Sequence, residues 1–217
     1  MIKHMNRRDF SLAATSLGLM SAASLSHAQV LPKAGKDYLE VTPRVPVDSP
    51  AGKIEVIEFF SYNCPHCNAF EPELEAWAKT LPKDVVFRRL PVPFVGTDVD
   101  SKQRLYYALE AMGKLDEYTM KVFNAIHTQR QNMTGDAAII AWAEKNGLDK
   151  AKFTQAFTSF GVVSKAKRAA QVTEQYKVSG VPALGIAGRW YVDGELAGNM
   201  TKSLQVTNYL IAEARKG

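Results

Sequence analysis

The chain contains little cysteine: only Cys64 and Cys67 among 217 residues. This count excludes a small disulfide-stapled fold, and a chain of this length with 46% apolar residues can bury a hydrophobic core. Charge of one sign is not massed anywhere either. The formal net charge is +5, and the 27 basic residues are interspersed with 22 acidic ones. The sequence therefore predicts a globular protein with no nucleic-acid partner.

A long hydrophobic run is also missing. The mildly apolar stretch at residues 12–25 is shorter than the ~20 residues of a transmembrane helix. Basic residues precede it and Ser26-His27-Ala28 follows it, so residues 1–28 are predicted to be an export signal cleaved before Gln29. The stretch NRRDFSL resembles the twin-arginine pattern through Arg7, Arg8 and Phe10 but departs from it at Asn6 and Ser11, so both the twin-arginine and the Sec routes stay open. Either route predicts a periplasmic location.

Past this leader, residues 37–93 are predicted to form two strands, a helix and a third strand. Residues 53–62 form a nearly continuous apolar run, which is typical of a strand covered on both faces. From Cys64 to Leu81 the apolar residues recur three or four apart, which predicts a helix, with Pro65 in its first turn and Pro72 producing a kink. Residues 85–92 return to a strand pattern.

The middle of the chain is different, because residues 97–161 show only helical periodicity. Four helices are predicted there, the third capped by Thr134 or Asp136 and the last stopping at Gly161. A helix, two short strands and a closing helix are predicted after them, at 165–176, 182–187, 190–192 and 201–215.

These segments predict an α/β sheet domain, residues 29–96 and 162–217, that is interrupted by an inserted helical domain, residues 97–161.

Two cysteines separated by two residues allow three interpretations. A structural zinc site needs four ligands, and past the leader the only histidines are His66 and His127. A purely structural disulfide in so short a loop stabilises the fold by only ~2 kcal/mol in the entropy model. A redox pair explains the spacing better, because Cys64 would lie at a helix N-terminus, where the unpaired N–H groups favour the thiolate.

The residues between the cysteines, Pro65 and His66, indicate the direction of the chemistry. A histidine in a first helical turn is by default a solvated side chain. Next to Cys64, however, it can place an N–H or a positive charge near the sulfur and stabilise the thiolate. A stable thiolate is a good leaving group, so the Cys64–Cys67 disulfide is readily transferred to a substrate by thiol–disulfide exchange. The sequence thus favours an oxidant.

The stretch EFFSYNCPHC, followed by NAFEPEL, a helical insertion and VSGVPAL, resembles the DsbA family of periplasmic thiol:disulfide interchange proteins. The resemblance covers essentially the whole chain after the leader. It implies a thioredoxin fold with an inserted helical domain. It also implies that Cys64 attacks and carries the mixed disulfide, that Cys67 resolves it, and that Val181-Pro182 forms a cis-proline loop that binds substrate backbone. On local grounds alone, a trans proline is the default at Pro182.

The resemblance also points to charged residues that tune the thiol pKa. Glu58 matches an acid buried beneath the active site, and strand alternation independently places it in an otherwise apolar strand. A strand-end carboxylate that reaches water is the alternative. Arg89 matches a basic partner in the family. Glu71 matches an acid of the active-site helix, although the helix pattern alone predicts an exposed side chain.

The expected function is that of a monomeric oxidase that needs no cofactor and binds no metal, since its redox group is the Cys64–Cys67 disulfide. Its substrates would be reduced exported proteins, bound next to an apolar surface. Tyr62, Phe94 and Val181 are the candidates for this surface, and a place in the core is the equal alternative for each of them. A DsbB-like quinone-linked membrane protein would reoxidise the protein. A thioredoxin-like reductase, a disulfide isomerase and a redox-inactive chaperone or binding module are the alternatives.

Overall fold

Strands from both ends of the chain combine into one five-stranded sheet. The computed structural model describes residues 31–217, so the predicted export signal, residues 1–28, lies outside the described residues. The strands are β1 (Leu39–Glu40), β2 (Ile54–Phe60), β3 (Val85–Pro91), β4 (Ala183–Ile186) and β5 (Trp190–Asp193). Their order across the sheet is β1-β5-β4-β2-β3. Strand β2 pairs parallel with β3 and antiparallel with β4, so it lies inside the sheet as predicted.

Helices follow or separate these strands. They are α1 (Pro65–Ala78), α2 (Val99–Ala111), α3 (Leu115–Phe123), α4 (Asp136–Lys145), α5 (Lys150–Phe157), α6 (Phe160–Gln175), α7 (Gly194–Ala197) and α8 (Met200–Ala214), and a π-helical turn, Asn124–Thr128, extends α3. Helices α2 to α6 pack on one another, and α1 packs on α8. This architecture confirms the predicted α/β sheet with a helical insertion between β3 and β4.

Two hydrophobic clusters lie on the two faces of the sheet. One joins β2 and β4 to α1 and α8 through residues such as Val56, Leu74 and Leu210. The other joins the opposite face to the inserted helices and includes both cysteines. Burying each large apolar side chain contributes about 1.5–3 kcal/mol, so both faces of β2 are held by packing. The active-site segment therefore starts from a strand that is fixed on both sides.

Several helix ends differ from the predictions. Helix α1 ends at Ala78 rather than Leu81, and it continues through Pro72. Helix α4 has Gly135 at its N-cap, with no side-chain cap, so the predicted caps were wrong.

Helix α6 begins at Phe160 rather than at residue 165. The hydroxyl of Ser159 accepts a hydrogen bond from the backbone N–H of Val162, and this cap starts the helix before the predicted stop at Gly161. The predicted domain boundary after residue 161 therefore lies within α6, which packs on both α2 and β3. The short helix α7 was not predicted. Within residues 31–217, no helix combines the length and the hydropathy that are needed to cross a membrane.

Candidate active site

Cys64 occupies the N-cap of α1, at the point where the chain leaves β2. Its backbone is extended, with φ −88° and ψ 117°, and its Sγ accepts a hydrogen bond from the backbone N–H of Cys67 at 3.4 Å. Pro65 is the first helical residue, where its missing N–H leaves no gap in the hydrogen-bond pattern. The backbone N–H of Cys64 donates to the carbonyl of Ser61 at 3.0 Å, which closes the turn. Local sequence thus directs the sulfur toward the unpaired N–H groups of the helix.

The two thiols have opposite pKa shifts. A hydrogen bond from the Cys67 side chain is the largest influence on Cys64, and together with the backbone N–H groups of Cys67 and His66 it lowers the pKa of Cys64 to about 6, although burial opposes the change. Burial, the hydrogen bond to Cys64 and the nearby Glu58 raise the pKa of Cys67 above its usual range. At neutral pH Cys64 is therefore mainly a thiolate and Cys67 a thiol.

The side chains between the cysteines, Pro65 and His66, are exposed. The positive charge of His66 also lowers the pKa of Cys64, but it contributes less than the hydrogen bonds that Cys67 makes. From the sequence, the helix N-terminus and His66 were expected to be the two main influences on the pKa of Cys64. In the structure, the hydrogen bond from the Cys67 thiol has the largest effect on the pKa of Cys64, because a hydrogen bond at contact distance acts more strongly on the sulfur than an exposed charge does.

The loop before β4 reaches the active-site cysteine from the other end of the chain. The Val181–Pro182 peptide bond is cis, Pro182 is buried and Val181 is half-buried. The Sγ of Cys64 lies 3.4 Å from the carbonyl oxygen of Val181. A backbone segment therefore lies against the reactive sulfur, as the resemblance implied.

A charged cluster lies below the cysteines, around Arg89. Glu58 and Arg89 are directly opposed in the pairing of β2 with β3, and the Nε of Arg89 lies 3.3 Å from a carboxylate oxygen of Glu58. The terminal nitrogen of Arg89 donates to Glu71 at 2.6 Å and to Glu75 at 3.0 Å. Neither oxygen of Glu58 accepts a hydrogen bond from any part of the chain that the structure describes. One buried cation thus faces three carboxyl groups.

Burial, and then the neighbouring charges, shift the pKa values within the cluster. Burial, together with the charge of Glu71, raises the pKa of Glu58 well above its ordinary value despite the opposing effect of Arg89. Burial raises the pKa of Glu71 to about 7. Partial burial acts to raise the pKa of Glu75, but hydrogen bonds from Arg89 and Lys79 outweigh it, so this pKa is lowered. Arg89 is therefore neutralised chiefly by Glu75, and Glu58 holds a proton at mildly acidic pH.

The structure corrects the prediction that Glu71 is exposed, because only 3% of the residue is exposed. The long Arg89 side chain extends from β3 under α1 and stabilises a carboxylate in that position. Sequence reasoning missed Glu75 altogether. A signal was present, since Glu75 follows Glu71 by four residues and therefore shares its helix face.

The three residues predicted to form an apolar surface are placed differently. Tyr62 is 1% exposed and belongs to the core, which is the alternative that the sequence left open for each of the three residues. Its ring is fully enclosed because it packs edge-on against the rings of Phe60 and Phe123. Phe94 and Val181 are half-buried and remain candidates for that surface.

His127, in the π-helical turn, contacts the active-site segment. Its Nε2 donates to the carbonyl oxygen of Tyr62 at 2.8 Å, so the inserted helices are bonded to the turn that precedes Cys64. The sequence showed no signal for this role, because the contact joins residues 65 positions apart.

Comparison with known proteins gives consistent results. Residues 55–205 match the model of the DSBA-like thioredoxin domain. The chain is 41% identical over 204 residues to the thiol:disulfide interchange protein DsbA of Bordetella parapertussis, covering 91% of this chain and 96% of that protein. It is 40% identical over 206 residues to the DsbA of Azotobacter vinelandii, covering 94% of both chains.

Solved structures agree with these sequence relatives. The crystal structure of Pseudomonas aeruginosa DsbA matches with a TM-score of 0.80 and 36% identity, covering 85% of this chain and 95% of that one. The oxidoreductase DsbA from Xylella fastidiosa matches with a TM-score of 0.78 and 31% identity, covering 86% of this chain and all of that one. The expected fold, a thioredoxin fold with a helical insertion, is confirmed.

Proposed function

This chain belongs to the DsbA family of thiol:disulfide interchange proteins and is a thiol:disulfide oxidoreductase, and from this premise we propose that it works as a dithiol oxidase for exported proteins. The observation that supports this direction is the position of Cys64. Its sulfur caps a helix, accepts the hydrogen bond of Cys67 and has a pKa of about 6. A sulfur so stabilised as a thiolate leaves easily from a disulfide.

In the first step, a thiolate of the substrate attacks the Sγ of Cys64 in the Cys64–Cys67 disulfide. A substrate–Cys64 bond forms, the bond between the two cysteines breaks, and the electron pair stays on the sulfur of Cys67. Because the pKa of Cys67 is raised, this sulfur takes up a proton. Burial raises the pKa of Glu58, and Glu58 lies close enough to Cys67 to raise the pKa of that thiol, so this carboxyl group can supply the proton from within the protein.

In the second step, a second thiolate of the substrate attacks the substrate sulfur that is bonded to Cys64 in the mixed disulfide. The substrate disulfide forms, and Cys64 leaves as a thiolate that the helix terminus and Cys67 stabilise. The substrate loses two electrons, and the cysteine pair gains them. The carbonyl of Val181, next to the sulfur, supports a role for the Val181–Pro182 loop in binding the substrate backbone.

The proposal extends to location and partners. The basic and apolar leader at residues 1–28 supports export to the periplasm. There the substrates are newly exported proteins that still carry reduced cysteines. Each turnover leaves the cysteine pair reduced, so a second protein must remove two electrons, and a quinone-linked membrane oxidase of the DsbB kind fits that requirement. The disulfide itself is the redox group, and no cofactor or metal takes part in either step.

The test uses an unfolded, reduced protein with a single cysteine pair and the oxidised chain without its leader. We expect rapid stoichiometric oxidation by the wild type and none by Cys64→Ser. Cys67→Ser has no disulfide to donate and should not oxidise the reduced substrate either. Given the oxidised substrate instead, its Cys64 thiolate should attack the substrate disulfide and accumulate a mixed disulfide, because Cys67 is not there to resolve it. A reduction potential measured against glutathione gives the direction independently. A potential as reducing as that of a thioredoxin would refute the oxidase and support the reductase.

A further inference from the structure

The loop between β3 and α2 lies against the turn that carries the reactive cysteine. Asn63, the residue before Cys64, extends its side-chain amide toward residues 95–97. The Nδ2 group donates to the carbonyl oxygen of Val95 at 3.1 Å and to that of Thr97 at 2.9 Å. One amide therefore holds two carbonyl groups of this loop from a position directly next to the active site.

The loop has a conformation that must be held. Val95 has φ 81°, which is a genuine outlier for a β-branched residue, and Gly96 has φ 79°. Such conformations persist only where the surrounding structure determines them. The two hydrogen bonds from Asn63 flank Gly96, and a Cβ at this glycine would lie 2.8 Å from the Cβ of Asn63. The loop and the asparagine are therefore in close contact, and the glycine makes that contact possible.

The loop presents apolar side chains near the cysteines. Phe94 and Val95 are half-buried and pack against the core cluster that includes Cys64 and Cys67. Gly96, at the tip, is exposed. Because Asn63 bonds this loop to the turn that carries Cys64, the accessible fraction of Phe94 and Val95 adds apolar surface next to that turn.

We propose that Asn63 is a positioning residue for substrate binding, which holds the loop Phe94–Thr97 as an apolar wall beside Cys64. The wall accommodates the segment of a reduced protein in which apolar side chains flank the reacting cysteine. This inference rests on the proposed function, because it assigns the substrate segment that the same site prefers. Asn63 contacts neither the sulfur nor the charged cluster through its side chain, so it acts on binding through the loop.

The first test compares wild type and Asn63→Ala on two reduced dithiol peptides, one with apolar residues and one with serine and glycine around the cysteines. Two lost hydrogen bonds of ordinary strength set an upper limit of about thirtyfold on the change, because only part of the loss is transmitted through the loop. We expect KM for the apolar peptide to rise about tenfold. We expect kcat, KM for the polar peptide, the rate with glutathione and the pKa of Cys64 to change less than about twofold, because none of these depends on the loop.

A second variant perturbs the same contact from the loop side. Gly96→Ala places a Cβ against Asn63, and it should raise KM for the apolar peptide as Asn63→Ala does. Gly52→Ala is the matched control, because Gly52 also has φ +79° but nothing lies within 4 Å of its added Cβ. It should show the same local backbone strain without any change in KM. Urea melts of all the variants verify that each one folds.

Three outcomes overturn the inference. The first is an unchanged KM for the apolar peptide in both Asn63→Ala and Gly96→Ala. The second is a parallel loss with both peptides and glutathione, together with a shifted pKa of Cys64, which would show that Asn63 acts on the sulfur. The third is a wild type that oxidises neither peptide, and this outcome removes the proposed function itself. The third is distinguished from the first two because in those cases the wild type remains active.

Discussion

The stability difference between the reduced and the oxidised protein should depend strongly on pH. The perturbation is reduction of the Cys64–Cys67 disulfide. Closing a four-residue ring restricts the unfolded chain and stabilises the oxidised form by ~2 kcal/mol at any pH. Reduction removes this contribution and creates a thiolate at Cys64. The two effects oppose each other, and only the second depends on pH.

The thiolate contribution follows from the pKa of Cys64, which is about 6 when folded and about 8.5 for an unfolded thiol. A depressed folded pKa stabilises the reduced form fully above the unfolded value, and this stabilisation is lost as pH falls through the folded value. It is ~0.1 kcal/mol at pH 5, ~1.4 kcal/mol at pH 7 and ~3 kcal/mol at pH 8.5. Solvent screening makes these values upper limits.

Combining the two contributions gives a crossover. At pH 5 the oxidised form should be the more stable by ~2 kcal/mol, and the two forms should be equal near pH ~7.5. At pH 8.5 the reduced form should be the more stable by ~1 kcal/mol. The structure therefore predicts near balance at neutral pH, because a pKa of about 6 is not low enough to outweigh the ring entropy fully.

Urea melts of both redox forms between pH 5 and pH 8.5 measure this difference directly. Cys64→Ser is the control, because it has neither the disulfide nor the thiolate. The profile of the reduced wild type should diverge upward from that of Cys64→Ser as pH rises, while the oxidised protein should remain parallel to it. A difference between the two redox forms that does not change with pH would refute the reasoning.

Three further predictions concern the pKa values at the site. Cys67→Ala should raise the pKa of Cys64, measured by the ultraviolet absorbance of the thiolate, more than His66→Ala does, and the reverse order would contradict the hydrogen-bond ranking. Glu58→Gln should be as stable as wild type near pH 4.5. Above that pH its unfolding free energy should exceed that of wild type by up to ~1.4 kcal/mol for each pH unit, because a raised pKa of Glu58 makes wild type lose stability as pH rises toward that pKa. Urea melts that show no such difference at pH 8 would contradict the raised pKa. Arg89→Met should lose about 3–5 kcal/mol of unfolding free energy at pH 7. It should lose less at pH 4, where Glu58 and Glu71 hold protons and only the half-exposed Glu75 still pairs with Arg89 as a carboxylate; an equal loss at both pH values would indicate a packing effect.

Sequence alone was sufficient for the local features of the site. The N-cap position of Cys64 follows from the order cysteine, proline and a helical repeat, since proline is tolerated in the first turn and unpaired N–H groups follow it. The burial of β2 followed from its continuous apolar run, and the placement of Glu58 followed from strand alternation. These features depend on neighbours within a few residues, which the sequence shows directly.

Other features required the family resemblance or the folded chain. The loop at Val181 lies 117 residues from Cys64, and local sequence gave no reason to place it against the sulfur. The start of α6 was missed because Ser159 caps the helix two residues before a glycine that looked like a stop. The sequence left both the surface and the core open for Tyr62, because one of the rings that enclose it, that of Phe123, comes from a distant segment.

The charged cluster around Arg89 shows most clearly what the sequence determined and what only the tertiary structure decided. The sequence determined that an acid, Glu58, lies within an apolar strand and that Arg89 is available in the next one. Only the tertiary structure decided that Glu71 and Glu75 turn toward the same guanidinium group and that Glu71 is buried with it. The reason is physical: the pKa of each carboxyl group depends on its burial and on all the charges around it, and those are set by how β3 packs under α1.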